Sequence, residues 1–462
     1  MTLILKLLEE QQMTPAGTDI GLSGPAGHLT LKDPGQDVGD VLHLLPKGAS
    51  EQDMSDKVMA TAGFMGLCQF QFFVKELITA GMLTWRLTFD NEDKAQVYPT
   101  ALPFAKPLQV ISKGTWQLSR FATCRPQEGK LIWWSPRKRA QLLLTGATGS
   151  AWLVPFVQAV DVTAWINDDP KRQAFVQLLN LAGLLTEVGG DGRVEETDSL
   201  MGGWEPHDLA FHNASRAGMT RRAWGGTFRF DGVMPSPPLR KTSNLIGDPI
   251  PLPKPDLTEL QQQDRGFTTV LETRRSIRNY GQEPLDANQL GAFLYRSARV
   301  RQTHPDARQD LSSRPYPGGG AIYELELYLG VNQNKDIARG FYHYDPFDHC
   351  LEPIAEVSSV FDFLIGSTGA SAMVKPVQTA FYIATRLPRL TWKYEGIAYS
   401  VTLKNTGVLI QTMYLVATAM GLAPTAVGSG NSDLFAAITG IDPLLETTVG
   451  EFLLGSFPEN RS

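Results

Sequence analysis

The sequence predicts an α+β protein of several domains, and three observations predict it. Residues 232–258, GVMPSPPLRKTSNLIGDPIPLPKPDLT, are crowded with proline. Proline fixes φ and lacks an N–H, so this stretch cannot be a helix or a central strand and reads as an extended connection. Two units that each run from helix to strand precede it. Helical and strand-like patterns alternate after it. The expected domains are residues 1–100, 101–200, a connecting segment 201–258, and a C-terminal domain 259–462.

The first unit carries FFVKELITAGML, with Phe73, Leu77 and Ile78 at helical spacing and Gly81 placed to close the helix. TWRLTF then alternates as a strand does. In the second unit, VQLLNLAGLLTEV repeats the order of KELITAGMLTWRL: a helix, Ala-Gly, two apolar residues, a strand. Helices ending in a β-wing give two small winged-helix-like domains. Residues 1–90 carry six basic and eleven acidic side chains, a net charge of −5. A DNA clamp should be basic, so peptide recognition is the expected role, by strand addition to a sheet edge. The basic run Pro136 to Arg139 reads either as a hold for an acidic peptide or as a solvated edge.

In the C-terminal domain FTTVLETR suits a helix. PLDANQLGAFLYRSARV suits a better one, with Asp286 and Gln289 as a capping box and Leu285 and Leu290 as a hydrophobic staple. AIYELELYLGV alternates like a strand. KNTGVLIQTMYLVATAMGL is apolar nearly all round, which predicts a buried central helix ending at Gly421. TTVGEFLLG is a late strand.

Composition bounds the function. The 462 residues are 42% apolar and 19% charged, ample for real cores. A net charge of −6 argues against a nucleic-acid partner. Cys68, Cys124 and Cys350 are odd in number and far apart, with no metal-ligand spacing, so no disulfide framework and no metal site are expected. That usage suits a reducing cytoplasm. MTLILKLLEEQQM is too short for a secretory core, and no window approaches the roughly twenty apolar residues of a membrane span. A soluble protein with no membrane partner is expected.

ETRRSIRNYG places Arg274, Arg275 and Arg278 around Ser276. On the residues alone two readings stand: a surface patch pairing with scattered carboxylates, or a site for an anion such as flavin mononucleotide (FMN). FMN presents a phosphate at one end and a ring that gains negative charge on reduction at the other. Guanidinium groups fork onto phosphate or carbonyl oxygens and keep their charge.

TRRSIRNYG resembles the RRSxRxF opening of the nitroreductase superfamily, whose members bind FMN at a homodimer interface. The resemblance implies FMN contacts from Arg274, Arg275, Ser276 and Arg278. SRPYPGGGAIYELELYLGV, Ser313 to Val331, is similar to the RPSGGALYPLE segment of the SagB/McbC-like azoline dehydrogenases. In that branch the glycine turn reaches the flavin of the partner subunit, which implies a role for Pro317, Gly318, Gly319 and Gly320. Gly318 replaces the family's serine, and Glu324 its proline. LTWKYEGIAYS resembles WKYxxxAYR, whose Lys-Tyr pair is implicated in catalysis; Lys393 and Tyr394 match it, while Ser400 replaces the arginine. MGLAPTAVGSGNSDL resembles the strand that packs on the flavin's other face, with Pro424, Ala426, Val427, Gly428 and Ser429 as candidates. Many relatives also hold phosphate with a late basic residue, and Arg461 is the candidate here.

Upstream, WEPHDLAFHNASRAG resembles WExHDLxFHxxSRxG, the segment before the oxidase core in this branch. His207, Asp208 and His212 there lack a third spaced ligand group, and the stretch reads as structural. The whole is similar to cyanobactin oxidases: two peptide-recognition domains, then a nitroreductase-like FMN fold. The resemblance implies dehydrogenation of thiazolines or oxazolines in a precursor peptide by a homodimer. A base takes the Cα proton and a hydride leaves Cβ. An ammonium at Lys393 would favour the phenolate of Tyr394 and lower its pKa, or Lys393 would itself be the base once desolvated, unless Glu395 neutralises the lysine. Two rival functions remain: an NAD(P)H-dependent nitro or quinone reductase, and a non-catalytic peptide-binding module.

Overall fold

The two upstream segments that read alike end their helices alike. Helix Glu51–Thr79, broken at Gly63, stops at Gly81 with φ 59°. There the Gly81 N–H donates to Ile78 O and the Met82 N–H to Leu77 O. Helix Pro170–Leu181 stops at Gly183 with φ 68°, where Gly183 donates to Asn180 O and Leu184 to Leu179 O. A left-handed glycine lets the chain fold back and satisfy two orphan carbonyls. Strands Leu83–Phe89 and Leu185–Glu187 follow. The same bond pair closes helix Ala398–Ala419, through Gly421 to Thr418 O and Leu422 to Ala417 O. The shared sequence pattern therefore records a helix stop.

The computed structural model describes residues 3–458 except 25–26, 90–91, 106–109, 128, 190–194, 198–199, 219–222 and 307. The chain divides into two units, 1–222 and 223–462. In the first, seven strands pair antiparallel in the order 49–50, 3–7, 83–89, 92–99, 140–144, 130–134, 123–127. Val97 lies opposite Leu142, so the boundary expected at residue 100 runs through a sheet. One apolar core, from Leu5 to Leu185, lies under both halves. The boundary expected at 200 is replaced by the division after residue 222. Helix Pro206–Ala214 belongs to the first unit, and its Asn213 side chain donates to Pro136 O.

The second unit is built on an antiparallel sheet in the order 250–251, 350–355, 340–345, 325–331, 379–385, 447–455, 423–427. Strand side chains alternate between its faces. Leu325, Leu327, Leu329, Phe381 and Ile383 meet helices Ala287–Ala298 and Ala398–Ala419 on one side. Tyr328, Ala380, Tyr382 and Ala384 meet helix Ser359–Ala372 on the other. Strand Leu325–Val331 is buried at all seven positions. Its alternation in sequence comes from Glu326, which lies inside a charge network rather than in water. His343 Nε2 is 3.3 Å from Glu326 and Arg386 Nη1 3.2 Å from it. Burial pushes the Glu326 carboxyl up, yet these partners bring it down to about 2.

The proline-rich stretch is a strap on this unit rather than a free linker. Arg240 pairs with Asp345 and Asp348, and Lys241 with Glu446. Arg386 donates to the carbonyls of Pro238 and Leu239, and Arg389 to that of Pro237. Proline has no N–H to give, so its carbonyls carry the docking. Ile250–Pro251 forms an edge strand, the place in a sheet where proline is tolerated.

Candidate active site

Helix Phe267–Thr273 ends at Arg274, and the next residues run along strand Ala423–Val427. The Ile277 N–H donates to Pro424 O at 2.9 Å, and Thr425 Oγ1 donates to Ile277 O at 2.7 Å. The Ser276 hydroxyl meets the Tyr414 hydroxyl at 2.7 Å, and that oxygen also accepts the Ala426 N–H at 2.7 Å. Ser276 and Ala426 thus share one tyrosine, which ties the arginine turn to the strand. The Arg274 guanidinium lies 5.2 Å from the Tyr414 ring centre. Arg278 Nε donates to Ala372 O. Among the described residues no carboxylate pairs with Arg274, Arg275 or Arg278. The surface-patch reading needed such partners. Three unneutralised guanidinium groups on a fixed turn fit the phosphate or reduced ring of FMN.

Gly318, Gly319 and Gly320 form a tight turn, with Gly320 at φ 65° and Ala321 at 58°. The Gly319 N–H donates to Asn405 Oδ1 at 3.0 Å. Pro317 before it is exposed. A Cβ on Gly320 would lie 2.4 Å from Tyr394 Oη and 3.0 Å from Lys393 Nζ. The two side chains therefore converge on bare backbone that only glycine provides. Lys393 ends helix Leu387–Lys393 and Tyr394 opens the two-residue strand Tyr394–Glu395, which pairs with Gly225–Gly226. The junction between elements lets neighbouring residues face one place.

Two electrostatic details were illegible. Burial, and then the Glu324 carboxyl, hold the Tyr394 phenol above its ordinary range. The expected lowering by Lys393 is overturned; its Nζ lies 5.4 Å from the ring centre. Glu395 does not close on Lys393. It accepts from Thr227 and lies 3.8 Å from Arg229. Glu324, fully buried, receives the Asn405 amide on both oxygens, at 3.0 and 3.2 Å. Sequence reasoning met Glu324 only as a departure from a pattern. The signal was an acid flanked by Tyr323 and Leu325, just before a strand buried throughout.

The two groups sit along one helix, Ala398–Ala419. The glycine turn meets it at Asn405 and the arginine turn at Tyr414. Nine residues apart, these lie about 14 Å apart along the axis. Val427 is buried, while Gly428 and Ser429 are exposed beyond the strand. Arg461 lies outside the described residues. In the first unit Arg137 pairs with the buried Glu195 and Arg139 donates to Leu102 O, so both reach their own unit. His207 lies 3.5 Å from Asp208. Among the described residues no group of three His, Cys, Asp or Glu could hold a metal, and no helix is long and apolar enough to cross a membrane.

The nitroreductase family model matches residues 271–456, and the model for the cyanobactin oxidase ThcOx matches residues 116–221. The microcin B17-processing protein McbC of Escherichia coli is 31% identical over 186 residues, 38% of this chain and 67% of McbC. A Methanocaldococcus jannaschii protein described as a nitroreductase is 28% identical over 212 residues, 44% of this chain and 98% of that protein. A solved structure from Ralstonia eutropha, also described as a nitroreductase, aligns with 49% of this chain and all of its own at 20% identity, with a TM-score of 0.38.

Proposed function

This chain belongs to the nitroreductase superfamily, in its SagB/McbC-type branch with the cyanobactin oxidases, and from that premise we propose that it oxidises thiazolines or oxazolines in a peptide to thiazoles or oxazoles with FMN. The observation that carries the reading is the arginine turn: Arg274, Arg275 and Arg278 have no carboxylate partner among the described residues and stand where strand Ala423–Val427 fixes the backbone. They would hold the phosphate and the ring oxygens. Ser276, Ala426, Val427, Gly428 and Ser429 would line the ring. Bound FMN would supply the hydride acceptor of the oxidation.

Lys393 and Tyr394 would handle the proton. Held above its ordinary range, Tyr394 rests as the phenol and can donate a hydrogen bond. Lys393 is then the residue left to accept the Cα proton. Pro317 to Gly320 would place these groups against the substrate ring. The exposed apolar side chains Tyr399, Leu403 and Val408 on helix Ala398–Ala419 favour a homodimer, in which one subunit's glycine turn reaches its partner's arginine turn. The first unit would hold the precursor peptide, as the match to the cyanobactin oxidase model over 116–221 favours.

The test is anaerobic. The purified protein, supplied with FMN, should lose its visible flavin absorbance when an azoline-containing peptide is added and keep it with NADH. Bleaching by NADH alone would make the protein a reductase. A protein that binds no FMN would remove the arginine argument.

A further inference from the structure

The glycine turn is held from behind by a side chain the function above does not use. Glu324 is fully buried, and its carboxyl accepts the Asn405 amide at 3.0 and 3.2 Å. Asn405, itself only 6% exposed, turns its Oδ1 to the Gly319 N–H at 3.0 Å. The next residue, Gly320, is the backbone on which Tyr394 Oη and Lys393 Nζ converge. Glu324 also reaches the other side of the site. Its carbonyl accepts the N–H of Arg386, the residue that starts helix Leu387–Lys393.

We propose that Glu324 is a positioning residue for the Lys393–Tyr394 pair: through Asn405 it holds the glycine turn, and through its carbonyl it sets the helix that delivers Lys393. The inference rests on the reading that Lys393 and Tyr394 face the substrate. A buried carboxyl is costly without partners, so one held by the Asn405 amide and its own backbone N–H suits a place where its charge is useful. Desolvation raises the Glu324 carboxyl, while Asn405, Arg314 and Arg389 oppose that rise. The titratable and charged groups facing it are Arg314, Arg389, Tyr316 and Tyr394. Its negative charge acts on the Tyr394 phenol in the direction that keeps the proton on. Glu324 thus works on the pair in two ways, by holding the turn and by holding the phenol protonated.

Glu324→Gln separates the two. The amide has the same shape and its oxygen still accepts from Asn405, so the turn is kept and the charge is lost. Tyr394 is read by tyrosinate absorbance during an alkaline titration, as the difference between each protein and its Tyr394→Phe counterpart. The Tyr394 midpoint should move to lower pH in Glu324→Gln. Asn405→Ala keeps the charge and removes the bridge. There the Gly319 amide should exchange its hydrogen at least tenfold faster, with the Tyr394 midpoint not lowered. An unmoved midpoint in the first variant, or unchanged Gly319 exchange in the second, overturns the proposal. If Glu324→Gln fails to fold, the exchange measurement on Asn405→Ala decides alone. The proposed activity is tested apart from this: peptide oxidation surviving in both Lys393→Ala and Tyr394→Phe would sink that reading while leaving the midpoint shift intact.

Discussion

At Gly320 a single absent carbon sets the site. The backbone is left-handed, and an added Cβ would strike the Tyr394 hydroxyl. Gly320→Ala should cost about 1–2 kcal/mol for the conformation. It should also lower peptide oxidation at least tenfold while the arginine turn, about 14 Å away along the helix, keeps its flavin. Urea unfolding and the flavin absorbance of the purified variant check both halves; a variant as stable and active as the parent would refute the convergence. The sequence made the Lys393–Tyr394 adjacency and the glycine triplet legible. It hid the direction in which Tyr394 is pushed, because that depends on burial of the phenol and then on Glu324, seventy residues away in the chain and adjacent only through the fold. A lysine beside a tyrosine is local information; burial of the phenol is not.

Among the elements, helix Ala287–Ala298 was the most legible. Asp286 Oδ1 accepts the Gln289 N–H at 2.7 Å and Gln289 Oε1 accepts the Asp286 N–H at 3.1 Å. Leu285 and Leu290 are both fully buried in one core. Asp286→Ala should therefore cost about 1 kcal/mol, seen as a lower urea midpoint with an unchanged slope. Helix Ala398–Ala419 was misjudged. Hydropathy over 404–422 predicted burial all round, yet Val408 is exposed while Asn405, Thr406 and Thr418 are buried. Small polar side chains suit the inside here because each finds a partner. Thr406 donates to Thr402 O, and Asn405 bridges the turn and Glu324. Hydropathy ranks residue types and cannot see those partners. The strap failed for a related reason: its proline content excluded a central strand correctly but said nothing of the arginines waiting to bond its carbonyls.

At the scale of the molecule, stability should carry a pH signature from the far side of the sheet. Glu451 is 2% exposed, and burial pushes its carboxyl from an ordinary 4.5 up to about 7, against the pull of Thr368 and the Asn431 N–H. The folded protein then holds this proton more tightly than the unfolded chain. The contribution is present below about pH 4.5 and is lost as pH rises through about 7, by up to about 3 kcal/mol. Glu451→Gln copies the protonated form. Its Tm should gain on the parent by several degrees between those limits and then level off. A difference that stays flat with pH would show that Glu451 is ionised throughout.

Strand Thr447–Gly455 follows every other strand of its unit in sequence, yet it lies inside the sheet, between Thr379–Thr385 and Ala423–Val427. On a ribosome, both flanking strands emerge before the one that joins them. Until nearly all of the second unit has been made, each waits with an open hydrogen-bonding edge, ready to pair with whatever passes. The first unit has its seven-stranded sheet complete in sequence by Leu144. Synthesis thus leaves one half able to close early and the other exposed to misassembly until late, a burden that falls on the half carrying the candidate chemistry.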